Sequence, residues 1–309
     1  MPQQAGRGPS DGSNVEAPLQ MQVKAAPTLR RKGGTRLLGM SAAYGVLTVV
    51  GIVLALPFLW LLSTSLKLEG TEFTFPPQWV PNPVMWSNYP AALQTVPYLA
   101  YARNTLIITV AATLGALITA SMSAFAFARV RFPGRNVMFI LLISTLMLPD
   151  AVTLVPKYIL FSKLHWINTY LPLTVPIWFG GGAFNVFLLR QFFMTIPYDL
   201  DEAARMDGGG NWRIFWSVLL PLSKPALTAV AIFSVIYNWN DFLNPLIYLN
   251  QQQYFTLALG LQFFQSEYAT QWTLMMAASV MMIAPIIVLF FLAQRVFIEG
   301  IQLTGIAGR

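Results

Sequence analysis

Residues 190–224 read RQFFMTIPYDLDEAARMDGGGNWRIFWSVLLPLSK. These 35 residues carry eight charges: Arg190, Asp199, Asp201, Glu202, Arg205, Asp207, Arg213 and Lys224. The stretch is far longer than a simple helix–helix connection. Pro197 suits a first helical turn. Asp199, Asp201 and Glu202 follow where the positive end of a helix dipole favours acids. Ala203, Ala204, Arg205 and Met206 are good helix formers. Gly208, Gly209 and Gly210 break the run and permit a left-handed cap and a sharp turn. Asn211 can cap a second helix. On that helix Trp212, Phe215, Trp216 and Leu219 fall on one face at i, i+3, i+4 and i+7, and Pro221 ends it. The segment reads as a short acidic helix braced by an aromatic one, a shape for docking. The ordinary alternative is an amphipathic helix lying on lipid, but its acids would face an anionic inner leaflet badly.

The surroundings give this segment its meaning. The whole chain has 309 residues, of which 10% are charged and 56% hydrophobic. A soluble domain carries about 25% charged residues. So few charges cannot cover a soluble globule, and so much apolar content excludes a disordered chain. The chain therefore reads as an all-α integral membrane protein. It has no cysteine and one histidine, His165, which excludes thiol chemistry and leaves little scope for a metal site. It carries no phosphate-cradling GxxxxGK[ST] loop and nothing that points to nucleic acid.

Uncharged runs mark the spans. Thirty uncharged residues separate Arg36 from Lys67, 25 separate Arg103 from Arg129, 26 separate Lys163 from Arg190, and 27 separate Glu267 from Arg295. Each exceeds the about 20 residues that cross the hydrocarbon core. Two further apolar runs contain Asp150 and Asp241. Six spans result, at roughly 37–65, 104–128, 136–161, 168–189, 225–249 and 273–295. With the N-terminus inside, 15 of the 19 basic residues are cytoplasmic and four are outside. This obeys the positive-inside rule and leaves both termini cytoplasmic. Residues 1–36 read as a disordered cytoplasmic tail, 37–297 as the six-helix domain and 298–309 as a cytoplasmic tail. No cleavable signal is expected, since the first span is too long for one and serves as an anchor.

Two acids inside the spans demand an explanation, because an intramembrane charge is costly. Asp150, Asn238, Asn240 and Asp241 are candidates for lining a translocation path. The other reading makes the acids structural partners that hold helix ends or kinks. The run Gly180–Gly182 suggests helix packing or a kink. Outside, residues 66–102 form a loop rich in Pro and aromatics. The loop 250–271 has one charge and many amides and aromatics. Gln262, Phe263, Phe264, Gln265 and Tyr268 in it are amides and aromatics of the kind that sugar-contacting surfaces use, or form an ordinary interfacial belt.

The spacing Glu202-Ala203-Ala204, three residues, Gly208, nine residues, Val218, one residue, Leu220-Pro221 resembles the EAA loop of binding-protein-dependent ABC importer permeases. Val218 stands where that pattern prefers Ile. Leu188–Phe193, Ile196-Pro197, Leu219–Ala226, Trp239–Phe242 and Asn168-Thr169-Tyr170 are similar to the carbohydrate-uptake, MalG-like branch. The likeness covers about residues 37–309.

The resemblance implies a type I importer (MetI-like) permease fold of six helices with a cytoplasmic coupling helix. It implies an ATPase-contacting set of Asp199, Asp201, Glu202, Ala203, Ala204, Arg205, Asp207 and Gly208. It implies a non-enzymatic subunit that binds no cofactor itself, with ATP and Mg²⁺ used by a cytoplasmic ABC ATPase dimer. Further implied partners are a second, homologous permease subunit, an extracytoplasmic sugar-binding protein and the bilayer of a bacterial or archaeal inner membrane. The loop that holds Gln262 to Tyr268 would meet that sugar-binding protein, and the C-terminal tail would touch the ATPase interface. The competing class is an ion-coupled secondary transporter. That class predicts internal repeats and several coupled acids, of which the chain shows two acids and no repeat. A membrane-embedded enzyme would need a nucleophile with its base or a metal cluster, and the sequence offers neither.

Overall fold

The computed structural model describes residues 33–265 and 270–306, and among them it is helical with no strand beyond a single bridge between Gln265 and Thr270. The chain divides into two units, residues 1–55 and 56–309. The described part of the first lies in α1 (Gly33–Ser65). Its side chains Tyr44, Val46, Leu47, Val49 and Leu54 are apolar and exposed, the composition of a helix that can cross a membrane.

The second unit holds the remaining helices. α2 (Asn88–Thr95) lies within the outer loop, α3 is Tyr98–Arg129, and α4 (Arg135–Ser144) and α5 (Asp150–Lys163) follow. Then come α6 (Ala183–Thr195), α7 (Asp199–Met206), α8 (Lys224–Trp239) and α9 (Trp272–Ile306). Among the described residues, four segments are long and apolar enough to cross a membrane: Ala43–Ser65, Tyr98–Arg129, Leu171–Thr195 and Trp272–Gln294. Two bent pairs, Arg135–Met147 with Asp150–Lys163 and Asn211–Leu222 with Lys224–Trp239 (bent by 77°), bring the count up to six by length and composition, the second pair starting earlier than the expected 225–249.

The bends correct the picture of straight third and fifth spans. The third turns by 101° between Arg135–Met147 and Asp150–Lys163, at Leu148-Pro149. A proline cannot continue the helical ladder, and Leu148 before it adopts the extended backbone that prolines impose. The helix of the fifth span stops at Trp239, about 24 Å from its start. A turn at Asn240–Phe242 and a short helix, Leu243–Tyr248, complete the expected 225–249. Asp150 and Asp241 thus sit at breaks, not at the middle of continuous helices.

α3 is the axis of the unit. Ala112, Ala116, Ala120, Ala124 and Ala128 recur every four residues and are all buried. Such a strip lets neighbouring backbones approach closely. Ala120, Ala124 and Ala128 pack with Val186, Leu189 and Phe193 of α6 and with Ala226 and Val230 of α8. The Gly180–Gly182 break serves the same purpose. All three glycines have positive φ, and a Cβ on Gly181 would collide with the backbone of Ala120. A second cluster joins Val96, Tyr101, Trp239, Phe264, Ala277 and Met282 towards the outer end. There Trp239 Nε1 donates to the Met282 carbonyl (3.0 Å), so the indole is satisfied. In the outer loop Lys67 is buried. Its ammonium donates to the Glu72 carbonyl (3.3 Å) and lies 3.9 Å from the centre of the Trp60 ring. α9 continues to Ile306, through most of the 298–309 segment read as a tail.

Candidate functional site

The segment 190–224 builds the inner site. Ile196 is extended ahead of Pro197, and Tyr198 precedes α7, its carbonyl receiving the Asp201 and Glu202 amides (2.9 and 3.1 Å). The helix ends in a Schellman motif. Gly208 N donates to Arg205 O (2.9 Å), and Gly209 N donates to Ala204 O (2.8 Å). Gly208 has φ +78°, which only glycine adopts freely. Asn211 does not cap the second helix as expected. Gly210 takes the cap position, and the Asn211 side-chain Oδ1 accepts from Arg205 Nη2 (3.0 Å).

The aromatic helix differs more. Ile214–Leu219 winds as a π-helix, with the Leu220 amide donating to the Phe215 carbonyl five residues back. Pro221 has no N–H for Ser217, and a widened turn removes the clash of its ring with that carbonyl. The wider turn changes the phase of the side chains. Phe215 and Leu219 are buried with Ile214, while Trp212 and Trp216 are exposed, so the four residues expected on one face lie on two.

Beneath α7, Ile196, Ile214 and Leu219 form a small core with Phe125, Phe192 and Ala204. The deciding contact is polar. Arg129, the last residue of α3, points into this junction and pairs with Asp201 at 3.4 Å, with both side chains nearly inaccessible (2% and 6% exposed). Arg129 Nη2 also donates to the carbonyls of Phe193 (2.9 Å) and Ile196 (2.6 Å), which orphans at the end of α6 require. Its guanidinium lies 4.1 Å from the centre of the Tyr198 ring, and the Tyr198 hydroxyl donates to the Ala128 carbonyl (2.9 Å). Burial pushes the Asp201 carboxyl above its usual range, against the opposing pull of Arg129 and Arg205.

This clamp divides the eight sequence-derived coupling residues. Asp199, Glu202, Ala203, Arg205, Asp207 and Gly208 are exposed, Ala204 is half-buried, and Asp201 faces the protein. Met206, 88% exposed, joins the outer face. Sequence reasoning missed Arg129, Tyr198 and Met206 as parts of this site. The signal available for Arg129 was its place, the first of three arginines and the one that closes a 25-residue uncharged run.

At the breaks of the third and fifth spans lies a chamber of about 870 Å³. Asp150, Asn238 and Asp241 line it together; Asn240 does not. The Asn240 amide instead donates to the Ile236 carbonyl of its own helix (2.8 Å). Asp241 accepts from the Asn244 amide N–H (3.2 Å) and side chain (2.9 Å), holding the start of Leu243–Tyr248. It therefore fixes a helix end and faces the chamber at once. Asp150 lies 4.0 Å from Lys157 one helical face along α5.

With this geometry in view, residues 111–302 match the family of binding-protein-dependent transport system inner membrane components. The chain belongs to that family.

This permease is 33% identical over 272 residues to the sn-glycerol-3-phosphate transport system permease protein UgpE of Yersinia enterocolitica, covering 85% of the chain and 96% of that protein. It is 36% identical over 211 residues to the arabinooligosaccharides transport system permease protein AraQ of Halalkalibacterium halodurans, covering 68% and 75%. Its fold is that of a bacterial ABC transporter involved in import of the acidic polysaccharide alginate, with a TM-score of 0.73, 24% identity, and 84% and 96% of the chains covered. The MetNI methionine ABC transporter gives 0.51 at 16% identity over 65% and 95%. The ABC importer permease anticipated from the EAA-like loop is thus what the chain is, and the ion-coupled alternative falls away.

The permease's outer loop is tied down by Asn168 and Tyr170. Asn168 Oδ1 accepts from the amides of Asn250 (3.2 Å) and Gln251 (2.9 Å). Tyr170 donates to Asn104, whose amide donates to the carbonyls of Gln253 (2.8 Å) and Phe255 (2.9 Å). Of the five residues proposed to meet an external protein, Gln262, Phe263 and Gln265 are exposed, with Phe263 stacked on Phe255. Phe264 turns into the outer core, 1% exposed, and Tyr268 lies outside the described residues.

Proposed function

We propose that this permease forms one half of the translocation path of an ATP-driven carbohydrate importer. α7 serves as its coupling helix. The observation that carries this reading is the Arg129–Asp201 clamp: it fixes an exposed acidic helix to the inner end of the central span. Asp199, Glu202 and Asp207, with Met206 beside them, offer a basic ATPase cleft both charge and an apolar knob. ATP and Mg²⁺ are bound by that ATPase dimer and not by this chain. A second, homologous permease subunit closes the chamber from the other side. Gln262, Phe263 and Gln265 meet the external sugar-binding protein, and both termini are cytoplasmic. The family model and the relatives' names support import through the inner membrane; the sugar class rests on the MalG-like motifs and on the amides of Asn185, Asn238 and Asn244 in a largely apolar chamber wall.

The test is uptake by cells expressing the complete transporter, using whichever labelled sugar its external binding protein binds. Glu202→Lys and Gly208→Val should each abolish ATP-driven uptake while membrane levels stay within twofold of wild type. Normal uptake in both variants would sink the coupling role.

A further inference from the structure

The relatives are named for solutes of opposite character: one for a phosphate ester, one for neutral oligosaccharides. The chamber wall discriminates between these classes. Its charged lining residues are Asp150, Asp241 and Lys157, with no arginine or histidine among the described residues around it. Lys157 lies near Asp150, while the hydrogen-bond donors to Asp241, Asn244 and the Leu243 amide, are neutral. The wall is therefore negative by one charge. Phosphate- and carboxylate-binding sites carry guanidinium or ammonium forks aimed at the anion; here the charges point the other way. Apolar neighbours such as Leu148, Phe161 and Ile177 lower the local dielectric and lengthen the reach of both carboxylates.

What this wall offers is acceptors and amides. Asn185, Asn238 and Asn244 each combine donor and acceptor, and carboxylates accept strongly from hydroxyl groups. Phe179, 84% exposed, and Tyr237, 63% exposed, present ring surface to the same space. Acceptor-rich walls with aromatic faces suit a molecule that has many hydroxyls and no negative charge.

We infer that the solute carried past this wall is an uncharged polyhydroxylated sugar, and that phosphate- and uronate-bearing solutes are excluded by Asp150 and Asp241. The inference rests on the chamber being the solute path in the function proposed above.

The experiment uses the complete transporter in cells. Its probes are ¹⁴C-labelled neutral di- and trisaccharides, sn-[¹⁴C]glycerol 3-phosphate and a ¹⁴C-labelled galacturonate oligomer. ATP-dependent uptake of a neutral probe, with neither anion entering, is the expected result. ATP-dependent entry of either anion would overturn the inference and leave the importer function standing. Uptake of no probe in an ATP-dependent way would bring down both. A second arm uses the double variant Asp150→Asn, Asp241→Asn, which leaves Lys157 alone and makes the wall positive by one. Loss of two charge-assisted acceptors should slow uptake of the neutral sugar on the order of tenfold. Unchanged neutral uptake in that variant would show that the acids do not meet the solute.

Discussion

Removing Arg129 should release α7 from the membrane domain. The guanidinium gives Asp201 its ion pair at 3.4 Å and closes the carbonyls of Phe193 and Ile196. Arg129→Ala leaves a buried carboxylate without its cation, which costs about 3–5 kcal/mol. Loss of the two carbonyl bonds falls within the same local junction and does not simply add. Asp201→Asn is the gentler change. It keeps an acceptor facing Arg129 and removes a carboxyl that burial already disfavours, so about 1–2 kcal/mol is expected. The double variant, Arg129→Ala with Asp201→Asn, should recover part of the single-arginine loss, because no unpaired charge then stays buried. Thermal unfolding of the purified complex in detergent would measure the three values. After reconstitution into proteoliposomes, the ratio of solute transported to ATP hydrolysed should fall most in Arg129→Ala. Arg129→Lys should restore the ion pair without the two-carbonyl grip and lie between. A stability unchanged within about 0.5 kcal/mol for Arg129→Ala, together with a wild-type transport ratio, would refute the clamp.

Three further outcomes follow from the same coordinates. Because the folded Asp201 carboxyl is raised, the folded state holds its proton better than the unfolded chain just above the ordinary carboxylate range. Wild-type stability relative to Asp201→Asn should therefore decline as pH rises through that window and level off towards neutrality, read as melting temperatures of both proteins between about pH 4 and 7. Gly181→Ala combines a left-handed backbone with a collision against the Ala120 backbone, so it should destabilise by about 2–5 kcal/mol and lower the folded yield in membranes. Asn168→Ala removes the acceptor of the Asn250 and Gln251 amides. It should loosen the outer loop by about 1–2 kcal/mol and speed its cleavage by protease added outside spheroplasts, with little change in yield.

What the sequence made legible was whatever depends on composition or local spacing. The lipid-facing spans, the acidic first turn of α7 and the Gly208 cap follow from charge gaps and backbone preference, and the structure keeps them. The bends were half-visible. Pro149 announced a break at Asp150, whereas the stop after Trp239 carries no proline or glycine and comes from tertiary packing of that indole on Met282. The π-helix was hidden because its cause, Pro221, lies beyond the residues it rephases, so a regular 3.6-residue wheel gave Trp212 and Trp216 the wrong face. Asp201 is the instructive case. Its neighbours Asp199 and Glu202 share its charge and its helix, and nothing in their spacing separates an acid aimed at a partner from one aimed inward. That distinction depends on Arg129, 72 positions earlier, and on α6 ending beside it with two carbonyls in need of donors. A single cation can serve both carbonyls and the carboxylate only where three helix ends converge. That convergence gives a surface loop a fixed relation to the span behind it.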